Sequence, residues 1–414
     1  MNNDSFQILQ PKKIKIASLT PFWRLKDYFT IIFNTFFKNS RLLKNDIVES
    51  IVDIHNIDFK YSYFVDSGKS AIYFSLKALN LNKGDKVIIP SFTCRAVLFA
   101  LLEAKVEPIF ADIDEDYNLN LETLISIDDL DDIKAIILPN MYGKINCNYQ
   151  LIKKLKRKGI IIIEDNATSF GSAYDSEILS DAMIYSFNMG KMINGSGGGI
   201  VFLRSAANSK LLSQIKDQKK IEVIIRFIKD LIVLRYRKKS SYFISLLRKK
   251  VINKSSLDDF YSLKDMEYQV TQKYFNCKKI SKLSLLLVSS QLKDFRKIKQ
   301  LYANLLDTYN ANLGLSSRFS KNEVPSYFLL EIDEKTNRYS LGDYLSNQGI
   351  ECSWSYYPIH KIKIYKDIKQ IDNLAITNKK WSNFLYLPFN LFVTRSDVEF
   401  VCKCYEEFMK KHEK

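Results

Sequence analysis

The sequence predicts an α/β fold, a mainly parallel sheet sandwiched by helices, with a smaller C-terminal α+β domain behind it. Three observations carry this. Between 65 and 204, short apolar runs bounded by Gly, Pro, Asp or Asn alternate with helical patterns. Residues 160–163 are four isoleucines in a row, as a strand covered on both faces requires. From about 270 the alternation gives way to a long amphipathic helical pattern over 280–309.

Taken in order, residues 1–45 read as a basic N-terminal arm, with eight basic and two acidic side chains. Residues 46–269 read as a large domain. Its strand candidates are 85–92, 107–113, 134–140, 159–165, 182–188 and 198–204, with helical patterns such as 70–80, 93–104 and 148–157 among them. Inside it, 206–254 reads as a helical insertion without Gly or Pro, holding fourteen basic and three acidic residues. Residues 270–414 form the smaller domain: the 280–309 helix, strand signals at 325–332 and 350–357, and a charged helix at 395–412.

The 414 residues are 46% hydrophobic and 26% charged, which excludes a disordered, collagen-like or coiled-coil chain. Net charge is +16, yet the arm carries +6 and the insertion +11, leaving the remainder at −1. Six cysteines without a CxxC pair make neither a disulfide framework nor a zinc site, and three histidines leave little for a metal cluster. A cytoplasmic protein is expected. The most apolar N-terminal run, 28–37, is half the ~20 residues that a membrane span needs.

The chemistry gathers where strands end. Glu164 and Asp165 follow the four isoleucines, and a carboxylate so placed needs a helix cap, a salt bridge or another cation to meet it. Strand 182–188 holds Ser186, and Lys191 follows five residues later, beside the glycine-rich run 195–199 that permits close backbone approach to a ligand. Earlier, Asp66-Ser67-Gly68-Lys69-Ser70 opens a helical run, so free N–H groups and the positive end of the helix dipole can hold a phosphate. A phosphate cradle, a buried aspartate and a loop lysine, in that order, make up the set that pyridoxal phosphate requires: anchor, partner for the ring nitrogen, and covalent attachment.

These segments resemble the DegT family of PLP-dependent sugar aminotransferases. SGKSA (67–71) resembles the family's SGTAA, KGDKVIIPSFT (83–93) its GDEVIVPSFT, and EPIFADID (107–114) its PVFVDID. ILPNMYG (137–143), IIIEDNATSFG (161–171) and SDAMIYSFNMGK (180–191) match in the same order, as do YYPIH (356–360) and NFLYLPF (383–389). The resemblance implies the seven-stranded sheet of PLP transferase fold type I and a homodimer. It also implies amino transfer, with glutamate as the expected donor, to a keto group of a nucleotide-linked sugar for polysaccharide or glycoconjugate synthesis.

Residue by residue, the resemblance gives Lys191 the covalent bond to the cofactor and Asp165 the ring nitrogen. It gives Ser186, Gly68, Lys69 and Ser70 the phosphate. Tyr142 and His360 fall near the substrate, though a surface loop would equally explain the histidine. Departures are visible. Thr168 stands where the family has a glutamine, Phe170 replaces a histidine, and Cys94 falls where an aromatic residue stacks on the ring. Asn276 is the nearest candidate for the asparagine that reaches a partner subunit's phosphate. Family members that dehydrate sugars lack the lysine, so Lys191 argues against that chemistry. A non-catalytic regulator or membrane-associated scaffold on the same fold is the alternative.

In 221–234, Glu222, Arg226, Lys229 and Asp230 share one helical face and the rest is apolar. A basic amphipathic helix of this kind can touch anionic lipid, placing the protein peripherally at the inner membrane face. The plainer reading packs it on the large domain with its basic side solvated. Charge without a recognised motif gives no case for nucleic acid.

Overall fold

The computed structural model describes residues 14–18, 23, 27, 31, 39–125, 130–146, 148–175, 177–235, 277–333 and 336–412. Asn276, most of the basic arm and residues 236–276, including the end of the insertion, lie outside them.

Helix α1 (Ser40–His55) comes first, its apolar residues Leu43, Ile47 and Ile51 recurring every four positions and buried. Then follow β1 (Tyr61–Val65), α2 (Gly68–Ala78), β2 (Lys86–Pro90), α3 (Arg95–Ala104), β3 (Glu107–Ala111) and α4 (Leu121–Ile125). Next are β4 (Ile133–Pro139), α5 (Tyr149–Arg157), β5 (Ile161–Asp165), β6 (Ala182–Ser186) and β7 (Gly199–Leu203). The seven strands form one sheet in the order β1-β7-β6-β5-β4-β2-β3. Only β7 runs against the others: it pairs antiparallel with both β1 and β6, while the remaining pairs are parallel. Ile162 and Ile163 of β5 are fully buried, one in a layer with Ile88, Ile136 and Leu155, the other in a layer with Phe74, Leu98 and Val201. The uninterrupted isoleucines thus serve both faces of the sheet.

Helices α6 (Ser209–Gln214) and α7 (Lys220–Arg235) follow. The plainer reading holds in part: α7 packs on the protein and its lysines Lys220 and Lys229 are exposed, but four of its isoleucines are exposed as well. Helix α7 packs through Val223, Phe227, Arg226 and Asp230, with the Phe227 and Trp23 rings 5.1 Å apart, while Ile221, Ile224, Ile225 and Ile228 face outward. The expected single helix over 280–309 is two, α8 (Lys282–Leu292) and α9 (Phe295–Leu313). Residues 284–292 are all buried, whereas α9 buries one stripe through Phe295, Ile298, Tyr302, Leu305 and Tyr309. The break at Asp294 separates two different surroundings.

The remaining elements are β8 (Phe328–Glu331), α10 (Arg338–Asn347), α11 (Ala375–Lys380), β9 (Phe384–Leu387) and α12 (Arg395–His412). β8 and β9 form a two-stranded antiparallel sheet. The strand expected at 350–357 is absent. Ile350 bridges Ile16, and Ser353 bridges Tyr386, so the segment divides its hydrogen bonds between two neighbours and builds no ladder.

Candidate active site

The carboxyl ends of β1, β2, β4, β5 and β6 meet at one edge of the sheet, together with the first residue of the reversed β7. Open parallel sheets place ligands at this edge. A cavity of about 80 Å³ lies there, lined by Gly68, Lys69, Thr93, Cys94, Met141, Asp165, Thr168, Ser186, Asn188, Lys191 and Tyr356.

The turn after β1 is built from its own side chains. Ser67 caps α2, its Oγ accepting from the Ser70 N–H at 3.1 Å. Ser70 is turned inward and donates to Asp66 Oδ1 at 2.5 Å. It supports the turn and does not line the cavity. Gly198 N–H donates to the Asp66 carbonyl at 2.7 Å, so the glycine run after Lys191 buttresses the same turn. A Cβ at Gly68 would meet Ser186 Cβ and Oγ at 2.8 Å. The N-terminus of α2 therefore lies beside a serine hydroxyl and Lys69, an arrangement that fits a phosphate.

Asp165 ends β5 and is buried. Its Oδ1 accepts from the Ala167 N–H at 2.9 Å. Burial pushes its pKa up, while that N–H and the charge of Lys191 pull it down. A cationic N–H from a ligand ring is the partner that would hold it ionised. Burial likewise lowers the pKa of Lys191, against the opposing pull of Cys94 and Asp165. That favours the free amine, the form that bonds a carbonyl. Lys191 N–H is held by the Asn188 carbonyl at 3.2 Å.

The neighbouring Glu164 takes a different solution. Among the described residues no lysine or arginine bonds it; it accepts from Tyr174 OH and from Asn140 Nδ2 at 3.1 Å. Thr168 lines the cavity, but its hydroxyl is spent on backbone, donating to Asn140 O at 2.9 Å and accepting from Tyr142 N–H at 3.2 Å. Phe170 packs edge-on against His55, with ring centroids 4.8 Å apart.

Two expected substrate contacts lie outside this cavity. Tyr142 is buried: its OH donates to the Ser355 carbonyl at 2.9 Å and accepts from Tyr386 OH at 2.7 Å. Its ring lines an adjoining cavity of about 160 Å³ with Tyr117, Tyr327 and Arg318. His360 is held by Ser91 and Asn378. Sequence reasoning missed Tyr356 and Asn188 as lining residues. Tyr356 stood in the quoted YYPIH segment, and Asn188 lies between Ser186 and Lys191, so both had a signal in their position. Tyr327, whose OH reaches the Gly190 carbonyl at 3.4 Å, had none. Among the described residues no group of His, Cys, Asp and Glu is placed to hold a metal.

The comparisons with known proteins agree with this geometry. A GDP-perosamine synthase from Vibrio cholerae is 22% identical over 398 residues, covering 89% of this chain and 96% of that protein. One from Escherichia coli O157:H7 is 24% identical over 360 residues, covering 84% and 86%. The structure superposes on Helicobacter pylori PseC, an aminotransferase involved in the biosynthesis of pseudoaminic acid, with a TM-score of 0.70 at 17% identity, covering 97% of this chain and all of that one. The sequence profile of the DegT/DnrJ/EryC1/StrS aminotransferases matches residues 55–222 and 266–406. With the sheet, the turn after β1, the half-buried Lys191 and the buried Asp165 in place, the chain belongs to the DegT/DnrJ/EryC1/StrS aminotransferase family, whose enzymes work with pyridoxal phosphate.

Proposed function

We propose that this aminotransferase moves an amino group from glutamate to a keto group on a nucleotide-linked sugar. The observation that carries the reading is the placement of Lys191 and Asp165 at one cavity with Gly68 and Lys69 of the α2 N-terminus. The match to GDP-perosamine synthases along most of the chain supports the substrate class.

Bound pyridoxal phosphate supplies a cationic ring that can take up the electron pair left when a Cα proton departs. The residues do the rest. Gly68, Lys69 and Ser186 would hold the phosphate, and the dipole of α2 favours its charge. Asp165 would keep a proton on the ring nitrogen. Lys191, whose pKa burial lowers, can accept a proton at Nζ and return it.

The proposal includes three further parts. The chain divides into an arm (1–45), a large domain (46–269) and a small one (270–414). It works as a cytoplasmic homodimer whose second subunit closes the cavity. It also associates peripherally with anionic membrane; no helix among the described residues is long and apolar enough to cross one.

The test is to load the protein with pyridoxal phosphate and supply L-glutamate with nucleotide-linked keto sugars. Formation of 2-oxoglutarate and an aminosugar nucleotide, followed by mass spectrometry, is expected. Borohydride reduction should fix the cofactor on Lys191. A cofactor-loaded protein that transfers no amino group to any such sugar, or a label on Lys69, would overturn the reading.

A further inference from the structure

We propose that the outward face of α7 docks on the anionic surface of a lipid bilayer. The proposal rests on the peripheral association above and names its surface. Ile221, Ile224, Ile225 and Ile228 are 60%, 49%, 59% and 45% exposed. Their spacing, i, i+3, i+4 and i+7, puts them on one arc of the helix. Single exposed apolar residues are ordinary, but a contiguous stripe marks an interaction surface.

The helix is locked in this orientation. Asp230 is buried and accepts from Ser196 Oγ at 2.6 Å. The Arg226 guanidinium lies against Gly197, where a Cβ would come within 2.7 Å of it, and its Nη2 donates to Gln218 at 3.1 Å. Val223 is buried on the same side. Turning the isoleucines inward would strip Asp230 of its hydroxyl partner and expose Val223.

The charge around the stripe selects the occupant. Lys220 and Lys229 border it on its two sides, and both are exposed. Lys210, Lys216 and Lys219 lie exposed nearby. The acids of this region are already engaged, Glu222 by Lys278 at 3.0 Å and Asp217 by Lys279 at 3.4 Å. Consider a second copy packed antiparallel about a two-fold axis through the stripe. Ile221 would face Ile228, Ile224 would face Ile225, and Lys220 would face Lys229, so like charges would meet on both sides. A bilayer surface carrying anionic headgroups accepts all these groups together: isoleucines at the acyl boundary and lysines among the phosphates.

The test is co-sedimentation of the full chain with phosphatidylcholine vesicles, with and without phosphatidylglycerol, at low and high salt. The wild-type protein should bind the anionic vesicles several-fold more than the neutral ones. Ile224→Glu with Ile228→Glu should reduce binding to the neutral level at either salt. Lys220→Glu with Lys229→Glu should remove the gain seen at low salt. Both variants should retain cofactor absorbance and native mass; Ile224→Ser with Ile228→Ser replaces the first pair if its cofactor signal is lost. Wild-type protein that ignores anionic vesicles would sink both the membrane association and this surface. Anionic-specific binding kept by both variants would leave the association standing and remove α7 from it. A fall from dimer to monomer mass in the isoleucine variant would give the stripe to a second copy.

Discussion

Ser91 Oγ lies 2.6 Å from Nδ1 of His360, a hydrogen bond between residues 269 apart in the chain. Asn378 Oδ1 sits 3.2 Å from Nε2 of the same ring. A carboxamide oxygen can only accept, so Nε2 carries the proton and Nδ1 accepts from the serine. Ile359 N–H also donates to the Ser91 carbonyl, at 2.9 Å. On one side of this contact the chain runs on to Thr93 and Cys94, and on the other it comes from Tyr356, all lining the cavity. The histidine acts as a fastener between two cavity walls.

Ser91→Ala should therefore lower stability by about 1–2 kcal/mol, the usual effect of removing one partner of a buried hydrogen bond. Urea unfolding would measure it. His360→Gln should recover part of the loss seen in His360→Ala, because an amide can replace one of the two bonds. Equal stability of all three variants and wild type would remove the fastening role.

Asp165→Asn should keep cofactor but lose amino transfer by at least about a hundredfold, the range for removing one preorganised charge. The phosphate turn is untouched, whereas the ring nitrogen loses its anionic partner. Cofactor absorbance and steady-state turnover measure the two effects separately. Turnover near wild type would make Asp165 a structural residue.

Gly68→Ala should weaken cofactor binding about tenfold or more and lower stability by about 1–3 kcal/mol, as overpacking does. The new methyl would stand 2.8 Å from Ser186 Cβ and Oγ, pushing the serine from the phosphate turn. Titration of the apoprotein with pyridoxal phosphate checks it. Unchanged affinity would show that the turn binds without Ser186.

His55 gives a pH prediction. It is buried, its Nδ1–H donates to the Ser172 carbonyl at 2.7 Å, and its Nε2 accepts from Gly171 N–H at 3.3 Å. Burial lowers its pKa to about 3. Below pH 6.5 the unfolded chain gains a proton that the folded chain refuses, so stability falls as pH drops towards 3, by about 1.4 kcal/mol per unit. Between pH 6 and pH 4, wild type should lose about 2 kcal/mol more than His55→Gln. The carboxylates contribute alike to both proteins, so the difference in slope isolates the histidine. Parallel slopes would contradict the shift.

Much of this was legible in the sequence, and what was not has physical reasons. The runs ending in Asp165 and Ser186 announced themselves because strands buried on both faces are continuously apolar. β1 was harder: YSYFV mixes a serine with half-buried tyrosines at the sheet's edge, and no apolar run marks it. The four-residue recurrence of Leu43, Ile47 and Ile51 was readable, but a boundary drawn at 45 from charge alone cuts through α1. β9 lay inside the quoted NFLYLPF, where a motif masked a strand. The candidate pair could be placed because Asp165 ends a recognisable strand and Lys191 follows five residues after the end of another. The Ser91–His360 bond and the tyrosines Tyr142, Tyr327 and Tyr386 could not, since each looks like an ordinary core or loop residue until distant segments meet. The exposed isoleucines of α7 were illegible for a related reason. An amphipathic pattern tells which residues share a face, not which face the protein keeps.

The pairing of β1 with β7 also sets a timetable. Tyr61 is registered with Leu203, so during synthesis about 140 residues must follow β1 before its partner exists, roughly 7 to 30 seconds at ordinary ribosome speeds. Through most of that interval Lys191 has not yet been made, and the turn behind β1 lacks the Gly198 N–H that steadies it. Cofactor capture is thus a late event in the birth of the chain. Nascent fragments that stop short of β7 should leave the ribosome colourless, with one strand edge bare and exposed to whatever chaperone is waiting.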